Sequence, residues 1–578
     1  MTISAKTAEC EIEALLKEWC DALIRYQVRM PGNKSFDGGI LCPACMLIHG
    51  RCPDAVYPLL CMADRTGDGK YLEAALRLFD WGENMLCDDG SIYNDAQATW
   101  AGITVFAAVS LHDSLVYHGH LLTAGQRTRF EKRLSGMGDW LYKNLRPGMP
   151  TNINYFATNA AAMALLGKYF DNADYIALAR DLADHCTRHI SPNKLLFGEG
   201  QPNDKHTVKD CTAIDVGGYN VEESLPSLYR YAEALGDERI REVVLESYRA
   251  HLEWMLPDGA WDNSVGTRTF KWTYWGSRTS DGCQEVFFDI GRTDPVFAEA
   301  AWRNFELYRR CTHNGLLHGG PDYRAHGEQP CTHHTFCHAK ALAGALDGGL
   351  YDLERMPLPS ERSGRLRYWS EMDTYRVVEG PWHADVTAYD FDYMRGGHAS
   401  GGAMSLLWHD DLGPVIASGT VDYTLHEAHN QQLSLKKAEH RSTCPRIELS
   451  RGKTRYGQHY DFAAKMTAEE AADAVRIHAD AFLCDDRYQR IDCDGAVTLD
   501  YTFTPDSVTV RAVLAEDIRK EATFYLPVIS GDVSVTAVRG SGKAEPVPMF
   551  NLNPGFMGTE YTFVSDADGV IEVKIARK

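Results

Sequence analysis

One stretch of the chain, Arg268–Asp281, combines side chains that could bind and react with an acidic sugar. Its 14 residues include one lysine, two arginines and four aromatic side chains, and we call it the basic–aromatic loop. Aromatic faces bind sugar rings, and arginine binds a carboxylate through two parallel hydrogen bonds. A lysine desolvated among aromatic rings, here Lys271, can lose its proton near neutral pH and act as a base. The alternative is a set of core aromatics with a solvated charged edge.

Another cluster, Thr151–Asn159, opens a predicted helix. Backbone donors and the positive end of the helix dipole favour an anion at this position. We therefore expect Asn154 and Tyr155 to bind a sugar carboxylate. Ordinary helix capping is the alternative interpretation.

The run Asp215–Ser224 lies at a similar junction between a loop and a helix. Gly217 and Gly218 permit a close backbone approach before Tyr219. Tyr219 could donate a proton or accept one. Acidic residues are favourable in a first helical turn for dipole reasons alone, so a capped helix start is the alternative.

Histidines are concentrated in the run Cys331–Lys340. On a helix, His334 and His338 share a face because they are four residues apart. We expect His334 to contact a carboxylate or to take part in catalysis. A metal-binding pair and a buried, hydrogen-bonded histidine are the alternatives. The H-E-x-x-H pattern is absent because no glutamate follows His334.

A cysteine-rich run, Cys42–Cys52, reads C-x₂-C-x₃-H-x₂-C. Zinc ribbons usually draw their ligands from two separated pairs. Here all four candidates lie within eleven residues, and no distant second pair is evident in the sequence. The pattern favours buried, reduced cysteines, with a metal site as the alternative.

The elements that must position these clusters fall into two regions. Apolar residues recur with helical spacing over the first ~350 residues, in hairpins joined by short polar turns. Long loops between hairpins, such as Ser191–Gly218, favour a closed (α/α) toroid over an open solenoid. Alternating strands follow, Thr420–Thr424 among them, and predict an antiparallel β-sandwich. The predicted domains are 1–355, an (α/α) toroid that carries the catalytic residues, and 356–578, the β-sandwich.

The amino-acid composition limits the classes of partner that this protein is expected to bind. The chain has 578 residues and a net charge of −21, so nucleic acid and anionic membranes are not favoured partners. Apolar runs of about 18 residues, long enough to span a membrane, are absent. The first residues lack a secretory signal, and the 16 cysteines lack the spacing of a disulfide framework. We expect a cytoplasmic protein with reduced thiols, whose oligomeric state the sequence leaves open.

The chain resembles polysaccharide lyases of the heparinase II/III-like architecture. The resemblance consists of helical hairpins with long loops that carry these clusters, followed by a β-sandwich. The runs Asp215–Ser224, Phe270–Cys283 and Pro330–Lys340 look closest to the L-rhamnose-α-1,4-D-glucuronate lyases. The resemblance implies a toroid crossed by a substrate pocket, and β-elimination at a glucuronate with release of a terminal rhamnose. Related lyases are usually exported, whereas this sequence shows no export signal, which suits an imported uronic-acid-containing oligosaccharide.

A β-elimination needs a group that neutralises the uronate carboxylate, a base and an acid. For neutralisation, Arg278, Asn154 and His334 are plausible. Lys271 is the first choice as base and Tyr219 the second, and either Tyr274 or Tyr219 could be the acid. The other expected substrate contacts are Tyr155, Asn220, Glu223, Trp275, Asp281 and His333. No cofactor is required by this reaction, and the sequence leaves a bound divalent metal open.

Two rival functions share this scaffold. A glycoside hydrolase needs two carboxylates flanking the bond, about 5–10 Å apart, and Asp215, Glu222, Glu223 and Asp281 are candidates. The central lysine favours the lyase, because a hydrolase has less use for it. A non-enzymatic sugar-binding protein would need the aromatics but not the dense titratable groups beside them.

Overall fold

The computed structural model describes residues 2–94, 99–200, 207–362, 364–391, 393–421, 423, 431–432 and 441–578. Helices dominate up to residue 347, and a π-helical segment, Val216–Ser224, precedes α8. The helices are α1 (Ala5–Tyr26), α2 (Val56–Thr66), α3 (Gly69–Trp81), α4 (Thr104–His118), α5 (Ala124–Asn144), α6 (Ile153–Tyr169), α7 (Ala173–Thr187), α8 (Leu225–Leu235), α9 (Glu238–His251), α10 (Gln284–Ile290), α11 (Pro295–Cys311), α12 (Tyr323–His326) and α13 (Thr332–Asp347). Among these residues, no helix is long and apolar enough to cross a bilayer.

A short Gly–Asp turn joins the helices within two of the hairpins. Gly67, at φ 66°, ends α2, and the side chain of Asp68 accepts a hydrogen bond from the Lys70 amide to begin α3. Gly236, at φ 64°, ends α8 in the same way, and Asp237 caps α9. Glycine tolerates the left-handed conformation, and aspartate satisfies the free amides of the next helix. Local sequence thus fixes where these hairpins reverse.

The hairpins close into a ring. Helix α13, the last long helix, packs against both α1 and α2. The indole nitrogen of Trp19 in α1 donates to the Thr312 hydroxyl at the end of α11, at 2.9 Å. An open solenoid would leave its first and last helices apart. The predicted (α/α) toroid is therefore confirmed.

Antiparallel sheets follow the toroid. The described strands are β1 (Thr2–Ile3), β2 (Thr312–His313), β3 (Leu316–Leu317), β4 (Leu353–Glu354), β5 (Leu366–Trp369), β6 (Thr374–Glu379), β7 (Trp382–Thr387), β8 (Ala403–His409), β9 (Gly413–Ala417), β10 (Arg446–Arg451), β11 (Thr454–Gly457), β12 (Lys465–Glu470), β13 (Val475–Phe482), β14 (Ala496–Thr504), β15 (Ser507–Leu514), β16 (Thr523–Val528), β17 (Val533–Arg539), β18 (Ser541–Gly542), β19 (Val547–Asn551), β20 (Phe556–Val564) and β21 (Val570–Arg577). Beyond the short pairs β1–β4 and β2–β3, the strand orders are β5-β6-β7-β8-β9, β12-β13-β14-β15-β21-β17 and β11-β10-β16-β20-β18, with β19 also on β20.

The inner faces of these sheets form one apolar core. It is built from alternating residues of the strands, such as Val497, Leu499 and Tyr501 of β14. This is the packing expected of a β-sandwich, in which one face of each sheet is buried. The predicted strand Thr420–Thr424 lies partly outside the described residues, and its described members are not in a strand.

A buried charge cluster joins the sandwich to the toroid. Arg376 of β6 pairs with Asp385 of β7 and with Asp262, which lies in the long loop before α10, both at 2.6 Å. All three side chains are almost inaccessible to solvent. A buried guanidinium with two carboxylates holds a fixed geometry because each lost partner would leave a charge uncompensated. The loops between α9 and α10 are therefore positioned by both domains.

Candidate active site

The structure places Lys271 and Tyr219 in direct contact, although 52 residues separate them in the sequence. The ammonium group of Lys271 donates a hydrogen bond to the Tyr219 hydroxyl oxygen. Arg268 donates to the same oxygen from Nη1, at 3.1 Å. The rings of Tyr219 and Trp272 pack edge to face, with their centroids 5.0 Å apart. Two cationic donors thus converge on one phenolic oxygen in a buried setting.

Two glycines allow the basic–aromatic loop to lie so close to the π-helical segment. A β-carbon on Gly218 would lie 2.3 Å from the Trp272 ring. A β-carbon on Gly276 would lie 2.0 Å from a Glu222 carboxylate oxygen, and Gly276 has a φ of +157°. Side chains at either position would push the two segments apart. The Gly-Gly pair before Tyr219 is thus explained by packing.

A buried carboxylate supports the loop from the other side. Asp215 accepts a hydrogen bond from the Arg268 amide at 2.8 Å. Burial raises the pKa of Asp215 to about 6, although the nearby Arg268 charge opposes that shift. Asp215 therefore stabilises the backbone next to the two cations and partly offsets their charge.

Glu199 is a site residue that sequence reasoning missed. It is fully buried, and neither carboxylate oxygen has a hydrogen-bond partner among the described residues. Burial, followed by the Asp215 charge, raises its pKa well above the usual range. A buried polar group without a partner requires an explanation, and ligand binding is one. Glu199 lies between Gly198 and Gly200, which both have a positive φ. This Gly-Glu-Gly pattern is the feature of the sequence that could have pointed to Glu199.

A second cluster joins the start of α6 to the end of the basic–aromatic loop. Asn154 donates to Oε1 of Glu223 at 2.5 Å, and Ser280 donates to Oε2 at 2.9 Å. The amide oxygen of Asn154, Oδ1, is buried without a partner in the described chain. Tyr155 is half-buried beside Trp100, with ring centroids 5.3 Å apart. The predicted pair Asn154 and Glu223 is thus brought together.

The pKa of Glu223 is unusual for a carboxyl group. Burial is the largest cause, the neighbouring Asp281 charge adds to it, and together they raise this pKa to about 7. Below that pH, Glu223 is therefore largely a neutral acid that can donate a hydrogen bond. Such perturbed acids occur frequently in active sites.

This shift gives a testable pH dependence of stability. The pKa of Glu223 is about 7 in the folded state and 4.5 in the unfolded state, so the folded state binds this proton more tightly. The free energy of unfolding therefore falls as the pH rises from about 4.5 through 7. Glu223→Gln should therefore stabilise the protein relative to wild type more at pH 8 than at pH 5, by about 1–3 kcal/mol. Urea denaturation at both pH values measures this difference. Glu545→Gln, at an exposed position, is the control. Parallel stability curves for wild type and Glu223→Gln would contradict the assignment.

Asp281 belongs to an ion cluster whose other three side chains are buried, although Asp281 itself is 28% exposed. Its carboxylate pairs with Arg51 at 2.9 Å and with Lys340 of α13 at 2.7 Å. Asp54 pairs with the same two cations, at 2.7 and 3.0 Å. Burial raises the pKa of Asp281, but the charges of Lys340 and Arg51 outweigh burial and lower it overall. This four-residue cluster fixes the end of the basic–aromatic loop against α13.

Arg278 and His334 are also in contact. Arg278 donates to Nε2 of His334 at 3.2 Å and to the Tyr323 hydroxyl at 2.5 Å. Burial, followed by the Arg278 charge, lowers the pKa of His334 well below the usual range, so its ring is neutral and accepts the bond. Asn553, which follows β19, contacts Arg278 at 3.4 Å and donates to the Phe270 carbonyl. The sandwich thus contributes directly to the arrangement of the loop.

Four predicted site residues have other partners. The hydroxyl of Tyr274 donates to Asp258 at 3.0 Å. Trp275 is fully buried and donates to the His318 carbonyl at 2.7 Å, and both Tyr274 and Trp275 pack in the helical core. Asn220 donates to the Leu196 carbonyl and contacts His251, and His333 packs on Phe336 and His49. The acid role of Tyr274 and the substrate contacts of the other three stay predictions.

An (α/α) toroid followed by an antiparallel β-sandwich, with cationic, phenolic and acidic groups meeting in the loops beside the toroid, is typical of polysaccharide lyases. The profile of the ulvan lyase N-terminal domain matches residues 16–358, and that of the ulvan lyase C-terminal domain matches residues 366–541. The chain belongs to the ulvan lyase family, and it is a carbon–oxygen lyase that acts on polysaccharides.

A broad-specificity ulvan lyase from Formosa agariphila is 36% identical over 527 residues, which cover 89% of this chain and 82% of that protein. The Streptomyces coelicolor chondroitin AC lyase, solved with chondroitin sulphate, shares the fold, with a TM-score of 0.51 and 12% identity over 98% of this chain and 79% of that one. A heparinase III structure gives a TM-score of 0.47 and 9% identity over 97% and 83% of the two chains. The expected polysaccharide lyase is confirmed, whereas the narrower match to rhamnose–glucuronate lyases stays a prediction.

Proposed function

We propose that this lyase cleaves the glycosidic bond to a glucuronate by β-elimination and releases rhamnose from the end of a uronic-acid-containing oligosaccharide. The relative from Formosa agariphila supports action on ulvan or on fragments of it. The single observation that carries the proposal is the convergence of Lys271 and Arg268 on the Tyr219 oxygen. A glycoside hydrolase would instead need a central pair of carboxylates.

The reaction removes a proton from one carbon of the uronate and breaks the bond from the neighbouring carbon to the glycosidic oxygen. The proton on the carbon beside the carboxylate leaves to a base, and its bonding pair forms a carbon–carbon double bond. The bond from the neighbouring carbon to the glycosidic oxygen breaks, and that oxygen takes a proton. No water is added and no cofactor is consumed. The products are free rhamnose and an oligosaccharide that ends in an unsaturated uronate.

Tyr219 is the proton-transfer group in this proposal. Negative charge on its oxygen is stabilised by the two cationic donors, which favours its acting as a base. Lys271, the first choice from sequence, donates its hydrogen bond to that oxygen and so positions Tyr219 and sets its charge. After the carbon–oxygen bond breaks, the protonated Tyr219 can return its proton to the leaving oxygen.

The uronate carboxylate is neutralised by hydrogen-bond donors around the same loop. Asn154 and the neutral form of Glu223 lie together at the start of α6. Arg278, which donates to His334 and Tyr323, supplies a positive charge from within the basic–aromatic loop. Neutralising the carboxylate lowers the cost of the negative charge that develops when the adjacent proton leaves.

The direct test follows ultraviolet absorbance and free rhamnose over time. The substrates are ulvan, chondroitin sulphate and rhamnose-capped glucuronate oligosaccharides. Rising absorbance with rhamnose release from the capped oligosaccharides supports the full proposal, because only elimination creates the conjugated uronate. Rising absorbance without rhamnose release keeps the mechanism and contradicts the rhamnose specificity. Sugar release without absorbance would contradict the mechanism. Protein with Lys271→Ala, prepared identically, controls for contaminating enzymes.

A further inference from the structure

The cysteine-rich run acquires a fourth partner from a distant part of the chain. Cys42 and Cys331 are 289 residues apart in sequence, yet their sulfurs lie 3.6 Å from each other. The Cys45 sulfur lies 3.9 Å from that of Cys331, and Nε2 of His49 lies 3.6 Å from it. One ligand atom from each of the four residues falls within 4.8 Å of all the others. We call this group the Cys₃His cluster.

These separations match the edges of a zinc coordination tetrahedron. With Zn–S near 2.3 Å and Zn–N near 2.0–2.1 Å, two sulfurs lie about 3.8 Å apart, and a sulfur and a nitrogen about 3.6 Å. They are far longer than the roughly 2.05 Å of a disulfide bond. Three thiolates and one imidazole are also a donor set typical of structural zinc.

The backbone turn that follows Cys42 places the sulfurs of Cys42 and Cys45 on the same side. Cys42 accepts a hydrogen bond from the Met46 amide and donates its own amide to the Leu47 carbonyl, so the chain turns back after Cys45. Met46 completes the turn at a φ of 54°, and its side chain is exposed. A C-x₂-C turn of this kind brings both sulfurs within reach of one ion. Cys52, which the sequence pattern included, is not part of the cluster.

We propose that the Cys₃His cluster binds one zinc ion with a structural role. Four protein ligands leave no open position for a substrate, and Cys42, Cys331 and His49 are buried. Cys331 directly precedes α13, the helix that carries His334 and Lys340. The ion would tie the turn near residue 45 to the helix that contacts Arg278 and the basic–aromatic loop. This inference does not depend on the proposed substrate.

Metal analysis tests this inference. Protein purified without chelators and equilibrated with zinc chloride, then dialysed, should retain about one zinc per chain by mass spectrometry. X-ray absorption at the zinc edge should show three sulfurs and one nitrogen. Replacement by cobalt(II) should give the intense visible bands of a tetrahedral thiolate site. No retained zinc and no cobalt bands in the wild-type protein would overturn the proposal, since reduced thiols alone would then account for the cluster.

Variants separate this site from the neighbouring thiols. Cys331→Ser and Cys45→Ser should each lose the bound zinc and the cobalt bands. Cys52→Ser is the matched control, because Cys52 is a buried thiol in the same run but outside the cluster, and it should keep both. Retention of zinc by both cluster variants would overturn the assignment. If Cys331→Ser does not fold, Cys45→Ser, at a half-buried position, and the wild-type spectra still decide the question.

Discussion

Replacing Tyr219 with phenylalanine is expected to lower kcat by about 10²–10⁴-fold, the range over which a positioned acid or base contributes. The change removes one hydroxyl group and keeps the ring that packs on Trp272. Because Lys271 and Arg268 both donate to that hydroxyl, its loss removes the proposed proton carrier and leaves both cations without this acceptor. Initial rates from ultraviolet absorbance over a range of substrate concentrations give kcat and KM separately.

Tyr274→Phe provides the matched comparison for Tyr219→Phe. It removes the same group from a buried tyrosine in the same region, but this hydroxyl donates to Asp258 in the helical core. We expect it to affect stability more than kcat. If Tyr274→Phe abolished turnover while Tyr219→Phe kept it, the acid role predicted from sequence for Tyr274 would replace the present proposal. Lys271→Arg, which keeps a cation, should retain more activity than Lys271→Ala.

Replacing Lys340 with methionine is expected to lower the free energy of unfolding by about 3–5 kcal/mol, as for other buried charge pairs that lose one partner. The ammonium group lies 3.0 Å from Asp54 and 2.7 Å from Asp281, and the lysine side chain is only 8% exposed. Without it, the buried Asp54 and the partly exposed Asp281 share the single charge of Arg51. Urea denaturation at pH 7 measures the loss.

An exposed pair of the same chemistry is the control for Lys340→Met. Lys17 and Asp21 of α1 lie 2.7 Å apart, with side chains 48% and 28% exposed. Lys17→Met should cost only about 0.2–1 kcal/mol, because water already solvates both charges. Equal losses for the two variants would show that burial of the cluster around Lys340 has been overstated.

The sequence by itself determined most of the secondary structure, because helix and strand periodicities are local properties. The helix predicted to open within Thr151–Asn159 starts at Ile153, and strands predicted after the toroid are found, Ser507–Leu514 among them. Buried residues alternate along the strand, as one face of an extended chain requires, whereas the helix is buried on most of its sides. The short helix α10 was not predicted, because its seven residues are too few to show a helical periodicity of apolar residues.

Only the tertiary structure decided which of these side chains meet. Tyr219 reaches Lys271, and Cys42 reaches Cys331, because the ring closes and the sandwich holds the intervening loops. The same packing turns Trp275 into the core, although its neighbours looked like a sugar platform in the sequence. Periodicity sets which face of an element is apolar, but it carries no information on which distant loops share a site. That depends on the closed packing of the whole toroid against the sandwich.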